Sequence, residues 1–339
     1  MQLFVNDLTV MDFSYLCPER GMVGESWIVD VILSGDLNEE SMVLDFGKVK
    51  KQLKQLIDEY IDHKLLVPVE HEYSHVEHDK KSDRVKVDFI RPDNMSIHLN
   101  CPAEAYAFVY SQNVTMPSVS DYLKNVIAIH LPENVVGIEL NLRTEVINTP
   151  FYHYTHGLKK HDGNCQRIAH GHRSKVVVFE NQQESIKWQE YWTNRWCDIY
   201  IGSSEDIVDA SKTVFSMLNG DAKQHNIFAY ESSQGRFELA IPKEESEMID
   251  DSKHRKAEEY ITKHNYIQTN IDKFKKFTGL SKLDKKQESH IAIGDQLFEF
   301  QEDDEDNFQK IRSFSFVRNF KTLMEEKDTI YQKYSNQDK

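Results

Sequence analysis

The sequence has no apolar run of the roughly 20 residues that a membrane span requires. Met1 to Val10 holds no basic segment followed by an apolar one, so a signal peptide is not expected and the cytoplasm is the default location. Basic residues are in deficit: 41 Lys and Arg against 56 Asp and Glu leave a net charge of −15. This speaks against a general nucleic-acid or acidic-membrane binder, whose footprint is basic. An anionic small substrate stays compatible, because a pocket can be locally basic. Cysteine is scarce as well. Four of them (Cys17, Cys101, Cys165, Cys197) in 339 residues do not make a disulfide framework, so free thiols are expected.

What is present suits a two-domain globular chain. Hydrophobic residues at 39% and charged residues at 29% allow a sizeable core under a polar surface. Two β-rich stretches, Leu3 to Leu16 and Trp27 to Leu33, flank a Pro/Gly turn between Pro18 and Gly24. Val49, Leu53, Leu56, Ile57 and Tyr60 recur at helical spacing, which predicts a helix from Lys48 to Tyr60. A polar loop over 70–83, a hairpin over Arg84 to Asn100, a helix over Ser118 to His130 and a strand over Val135 to Ile147 complete a ββαββαβ unit. The second half starts again with strands at Tyr152 to His156 and His172 to Glu180. A strand at Trp196 to Gly202, a hairpin over Ile227 to Pro242 and a helix over Lys253 to His264 follow. The aromatic segment Trp188 to Tyr200 reads as alternating core packing, and Glu302 to Asp306 as a solvated acidic run before a helical tail. Domain limits are expected at 1–150, 151–300 and 301–339.

The halves echo one another. Phe13-Ser-Tyr-Leu-Cys17 precedes Gly24-Glu-Ser-Trp-Ile-Val, and Tyr152-His-Tyr-Thr-His156 precedes Gly171-His-Arg-Ser-Lys-Val. In both, an aromatic stands four residues before a candidate ligand and a glycine opens the next alternating strand.

Chemistry concentrates in the second copy. His170 and His172 are two apart at a strand start, so they share a face. His156 ends the preceding strand, and antiparallel pairing brings the three imidazoles together. Three neutral histidines leave a zinc ion one open position, the layout of a catalytic site. The alternative is a surface His-x-His in a chain with 15 histidines. Cys165, among Lys159, Lys160, Arg167 and Arg173, would be a lowered-pKa thiol or else a fourth zinc ligand. Asp62-His63 is an adjacent carboxylate–imidazole pair at a helix end, suited to proton transfer; its bland alternative is a cap beside a surface histidine.

Together these pieces resemble the 6-pyruvoyl-tetrahydropterin synthase / 6-carboxy-tetrahydropterin synthase family. The resemblance rests on Tyr152 to His156, Cys165 and His170-Gly-His172 in the second half. In the first half it rests on Met42-Val-Leu-Asp-Phe46, Lys48 and Asp62-His-Lys-Leu-Leu66. It covers about two thirds of the chain in scattered blocks. It implies an α+β fold of two tandem tunnelling-fold units, each an antiparallel sheet with helices on one face, whose sheets assemble into a barrel in a dimer or trimer. It implies Zn2+ on His156, His170 and His172, with Cys165, Asp62 and His63 as acid/base residues. Glu145 and Glu139 are the candidates to anchor a pterin. In the first half, Cys17, Val23 and Glu25 stand where the ligands would be, so one complete site per chain is expected. The implied reaction is a zinc-dependent lyase step on 7,8-dihydroneopterin triphosphate that yields 6-carboxy-tetrahydropterin, on the way to queuosine-type 7-deazaguanines. The alternatives are 6-pyruvoyl-tetrahydropterin synthesis, another zinc-dependent pterin or purine chemistry, or a non-catalytic zinc-containing binding protein of the same fold.

Overall fold

The computed structural model describes residues 1–36, 46–159, 163–180, 183–215 and 224–249, with three later strands, Glu288–Ile293, Gln296–Gln301 and Arg312–Phe316. Two long strands, β1 (Gln2–Cys17) and β2 (Gly21–Gly35), pair antiparallel across a short turn. Then come α1 (Phe46–Tyr60), β3 (Leu65–Pro68), β4 (Ser74–Asp79), β5 (Arg84–Phe89), β6 (Ile97–Pro102), β7 (Tyr106–Val109), α2 (Met116–Ala128) and β8 (Val135–Thr144). The first sheet runs β7-β3-β1-β2-β8; its long ladders are antiparallel, and short β3 and β7 join parallel.

Both helices cover one face of that sheet. Val49, Leu53, Leu56 and Ile57 of α1 and Val119, Leu123 and Ile127 of α2 pack on Met11, Phe13, Trp27, Val29 and Val31 in one core. Thr115 and Ser118 form a capping box that starts α2, with Pro117 in its first turn.

The second half comprises β9 (Phe151–Gly157), β10 (His170–Glu180), β11 (Gln183–Glu184), α3 (Ile186–Arg195), β12 (Ile199–Ser203), β13 (His225–Ser232), β14 (Gly235–Pro242) and β15 (Ser246–Ile249). β16 (Glu288–Ile293), β17 (Gln296–Gln301) and β18 (Arg312–Phe316) follow. Its sheet, β15-β12-β9-β10-β16-β17-β18, repeats the order and sense of the first: β9 and β10 stand for β1 and β2, β12 for β3, β15 for β7 and β16 for β8. Ser14 pairs with Gly24 and faces Leu65 as Thr155 pairs with Gly171 and faces Tyr200. His63 and Asp198 are equivalent too: each has positive φ (59° and 56°) and donates its N–H at 2.8 Å to the carbonyl of Asp12 or His153. The chain is thus α+β and repeats one topology twice. The two hairpin systems also fuse, because β6 pairs with β14, into a third sheet β13-β14-β6-β5-β4.

Several expectations need correction. The segment 70–83 is not all loop: β4 pairs with β5, its side chains mostly exposed. The Trp188 to Tyr200 segment does not alternate. Trp188, Trp192 and Trp196 follow one another at intervals of four; the first two lie on α3, and all three are buried against Tyr152 and Val178. The helical period was there to read, masked by aromatics of high strand propensity. The strand that follows begins at Ile199, not Trp196. Tyr15, not Cys17, stands where His156 does, for Tyr15 pairs with Val23 as His156 pairs with His170. The expected helix over 253–264, the acidic run at 302–306 and the Met42 to Asp45 motif lie outside the described residues, and the tail expected to be helical instead includes β18, which pairs with β17.

The two long hairpins cross face to face where neither carries a side chain. A Cβ built on Gly24 would lie 1.8 Å from the Tyr154 carbonyl oxygen, and one on Gly171 would lie 2.4 Å from the Gly24 Cα. Beside them the Ser14 and Thr155 hydroxyls share a buried hydrogen bond of 2.9 Å. Around this crossing each half reaches into the other. Arg20 grips Asp198 with two hydrogen bonds of 2.8 and 2.5 Å, and His153 Nδ1 lies 3.7 Å from Glu25. Burial, partly offset by the Ser26 N–H, Arg173, Trp27 and Arg20, pushes the Glu25 carboxyl from 4.5 up to about 7.

Replacing Gly171 with alanine should destabilise the fold by about 3 kcal/mol, because backbone on both sides of the crossing must move. Equilibrium denaturant unfolding of the variant measures this. At Glu25 the folded chain holds a proton that the unfolded chain releases, so its contribution to stability falls as pH rises from 4.5 to about 7. Glu25→Gln should therefore match the wild type near pH 4 and exceed it at pH 8, by up to about 3 kcal/mol. Denaturant midpoints at the two pH values test the difference.

Candidate active site

Strand pairing builds the histidine cluster. His156 stands opposite His170, and Tyr154 opposite His172, in the β9–β10 ladder. His156, His170 and His172 bring one nitrogen each to within 4.8 Å of one another. Ring centroids lie 4.8 Å apart for His156 and His170, and 4.4 Å apart for His170 and His172. His156 and His170 are buried and His172 is half-buried. Tyr154 lies along the cluster, 5.3 Å from the His172 ring.

The set fits a borderline-soft divalent ion such as Zn2+: three imidazole donors, with His172 open to solvent where a fourth ligand would enter. An outer carboxylate supports it, because Asp12 Oδ1 lies 3.4 Å from His172 Nδ1. Burial alone would raise the Asp12 carboxyl. The His172 charge and hydrogen bond, the Ser26 hydroxyl and the His63 charge outweigh burial and hold it below the usual range.

The first half delivers a second group. The His63 ring lies 4.1 Å from that of His170, and Asp62 Oδ2 is 2.6 Å from His63 Nδ1. Asp62 is itself oriented, its Oδ1 accepting the Asp12 N–H at 2.8 Å. A carboxylate that accepts from Nδ1 fixes the tautomer and leaves Nε2 to exchange a proton. His63 takes positive φ at the turn after α1, a conformation uncommon outside glycine.

Arg167 and Lys64 flank this pair. Arg167 is buried, its Nη1 donating to the His63 carbonyl at 3.3 Å and its Nε to Gln234 Oε1 at 2.9 Å. Burial first, and then the Arg167 charge, push Lys64 down from 10.5 to about 8. Two crowded cations make a ready counter-charge for an anion.

Other predicted residues fall elsewhere. Cys165 lies on the 3-10 turn Gly163–Gln166 between β9 and β10; its side chain is outside the described residues. The turn is tied to the β13–β14 hairpin, for Tyr230 Oη donates to the Gln166 carbonyl at 2.7 Å. Lys159 is committed to Asp206 and Glu205, and Lys160 is outside the described residues. Arg173 stacks on Phe151 and donates to the Glu145 carbonyl at 2.7 Å. Glu145 is exposed just beyond β8, and Glu139 is exposed on β8 opposite Ile32. Asp12, Ser26 and Lys64 went unnoticed in the sequence. Setting the two echoes in register would have paired Asp12 with His153, a polar residue before an aromatic in both strands.

No helix among the described residues is long and apolar enough to cross a membrane. None of the curated proteins compared matches the chain. Among solved structures it is similar to 6-pyruvoyl tetrahydropterin synthase from Plasmodium vivax, at 14% identity and a TM-score of 0.33, over 43% of this chain and 98% of that one. It is similar also to the Plasmodium falciparum protein of that name, at 16% identity and a TM-score of 0.33, over 42% and 90%. The sequence model of the family described as 6-pyruvoyl tetrahydropterin synthase matches residues 17–135, the stretch that holds Asp62 and His63 but not the histidine cluster. Over those residues, about a third of the chain, the sequence is similar to the 6-pyruvoyl tetrahydropterin synthase family.

Proposed function

We propose that the chain is a zinc-dependent lyase of the tetrahydropterin synthase type, with one composite site per chain. His156, His170 and His172 of the second half hold the ion, and Asp62 and His63 of the first half move the proton. The observation that carries this reading is the His63 ring, 4.1 Å from that of His170 in the same chain. It brings a histidine of one half against the cluster of the other. The substrate is 7,8-dihydroneopterin triphosphate and the products are 6-carboxy-tetrahydropterin, acetaldehyde and triphosphate.

Bound to the cluster, Zn2+ would supply Lewis acidity that polarises a substrate hydroxyl. His63 exchanges a proton at Nε2, while Asp62 stabilises the imidazolium at Nδ1. Cys165, on the short turn that enters β10, is the second acid/base group. Arg167 and Lys64 neutralise phosphate charge near His63. The pterin anchor is assigned to Glu145 or Glu139. Assembly into a dimer or trimer would bring these exposed carboxylates to a neighbouring chain's site.

Elemental analysis of the purified chain should find about one zinc per chain, lost in His170→Ala. His63→Ala, Asp62→Asn and Cys165→Ala should keep the metal and lose turnover of 7,8-dihydroneopterin triphosphate by about 10²- to 10⁴-fold. A wild-type protein without zinc, purified without chelators, would sink the proposal.

Lys64 gives an independent check. With its pKa near 8, an anion bound beside it should raise that value and draw a proton from solution at pH 8. Calorimetric titration with inorganic triphosphate, in two buffers of different ionisation enthalpy, should show net proton uptake. Lys64→Gln should abolish it.

A further inference from the structure

Asp12 belongs to the half of the chain that contributes none of the three clustered histidines, yet it contacts both that cluster, at His172, and the Asp62–His63 pair. Its Oδ1 lies 3.4 Å from His172 Nδ1 and accepts the Ser26 hydroxyl at 2.5 Å. The Ser26 oxygen in turn accepts the N–H of Arg173, the residue after His172, at 3.1 Å. Two consecutive residues of β10 are therefore gripped by two paired residues of the β1–β2 ladder. The Asp12 main chain serves the acid–base pair: its N–H donates to Asp62 Oδ1 and its carbonyl accepts the His63 N–H, both at 2.8 Å.

The repeat shows what is special here. At the equivalent place in the other half the same crossing contact joins His153 to Glu25, 3.7 Å apart, with the imidazole and carboxylate exchanged between the halves. The way the halves pack sets the contact. Only on the side of the histidine cluster does it set a carboxylate behind a candidate ligand.

We propose that Asp12 is a positioning residue for the metal centre. Its carboxylate holds His172 Nδ1–H, so that Nε2 faces the ion, and its backbone keeps Asp62 and His63 in register with that ligand. The proposal rests on the reading of the cluster as a metal site. A carboxylate behind a ligating imidazole fixes its orientation and raises its basicity, and losing such a partner weakens metal binding by about 10- to 100-fold.

The test uses the full chain and needs no substrate. Zinc affinity is measured by competition with a chromophoric chelator, and Co2+ is substituted to read the visible d–d bands. Asp12→Asn, which keeps the shape and the backbone contacts, should bind zinc about 10- to 100-fold more weakly and shift the cobalt bands, with Tm little changed. Ser26→Ala, which frees the Asp12 carboxylate without touching it, should weaken binding in the same direction by less. It also decides the matter should Asp12→Asn fail to fold. Wild-type affinity and an unaltered cobalt spectrum in Asp12→Asn, or in Ser26→Ala where that variant alone folds, overturn the role of Asp12 and leave the metal site standing. A wild-type chain that binds neither ion overturns both.

Discussion

Everything at the site depends on one close approach. The β1–β2 and β9–β10 hairpins cross with Gly24 against Gly171, near enough that backbone meets backbone. Sheets packed through side chains stand about 10 Å apart, too far for short side chains such as Asp12 and Ser26 to reach the opposite strand. With the gap closed, Ser14 meets Thr155, Ser26 meets Arg173 and Asp12 meets His172. The glycines thus stand close by the candidate site while contributing no side chain to it.

The crossing generates two corners, and the chain furnishes them differently. On one side lie three histidines, a carboxylate and the Asp62–His63 pair. On the other, Tyr15, Val23 and Glu25 occupy the ligand positions, while Cys197 and Asp198 replace Asp62 and His63. There Arg20 and Asp198 join the halves by a two-pronged ion pair, and Glu25 is buried enough to hold a proton near neutrality. One corner holds the candidate site and the other an ion pair that joins the halves. Among the described residues, the chain carries one candidate metal site for two copies of the fold.

Much of this was legible in the sequence because it is local. His170-Gly-His172 shares a face by strand geometry alone, and Asp62 and His63 are neighbours in the chain. The long strands, α1, α2 and the two hairpins announce themselves by period and turn residues. What escaped is non-local or chemically disguised. Asp12 meets His172 across 160 residues, and Lys64 meets Arg167 across about a hundred; neither pairing leaves a mark on its neighbours in sequence. The short parallel strands β3 and β7 are too brief to show a period, and α3 hid its own behind Trp188 and Trp192.

The fused sheet β13-β14-β6-β5-β4 bears on how the molecule comes into being. A ribosome releases β6 well before β14, and until residue 242 has emerged the inner edge of the β5–β6 hairpin lacks its partner. The first half therefore cannot complete itself as an autonomous bead during synthesis. Its open edge is a hazard for pairing with other nascent chains, and closing it demands contacts of high sequence separation, which form slowly. The candidate site would then be the last feature the chain completes, formed only when its second copy arrives to cover the first.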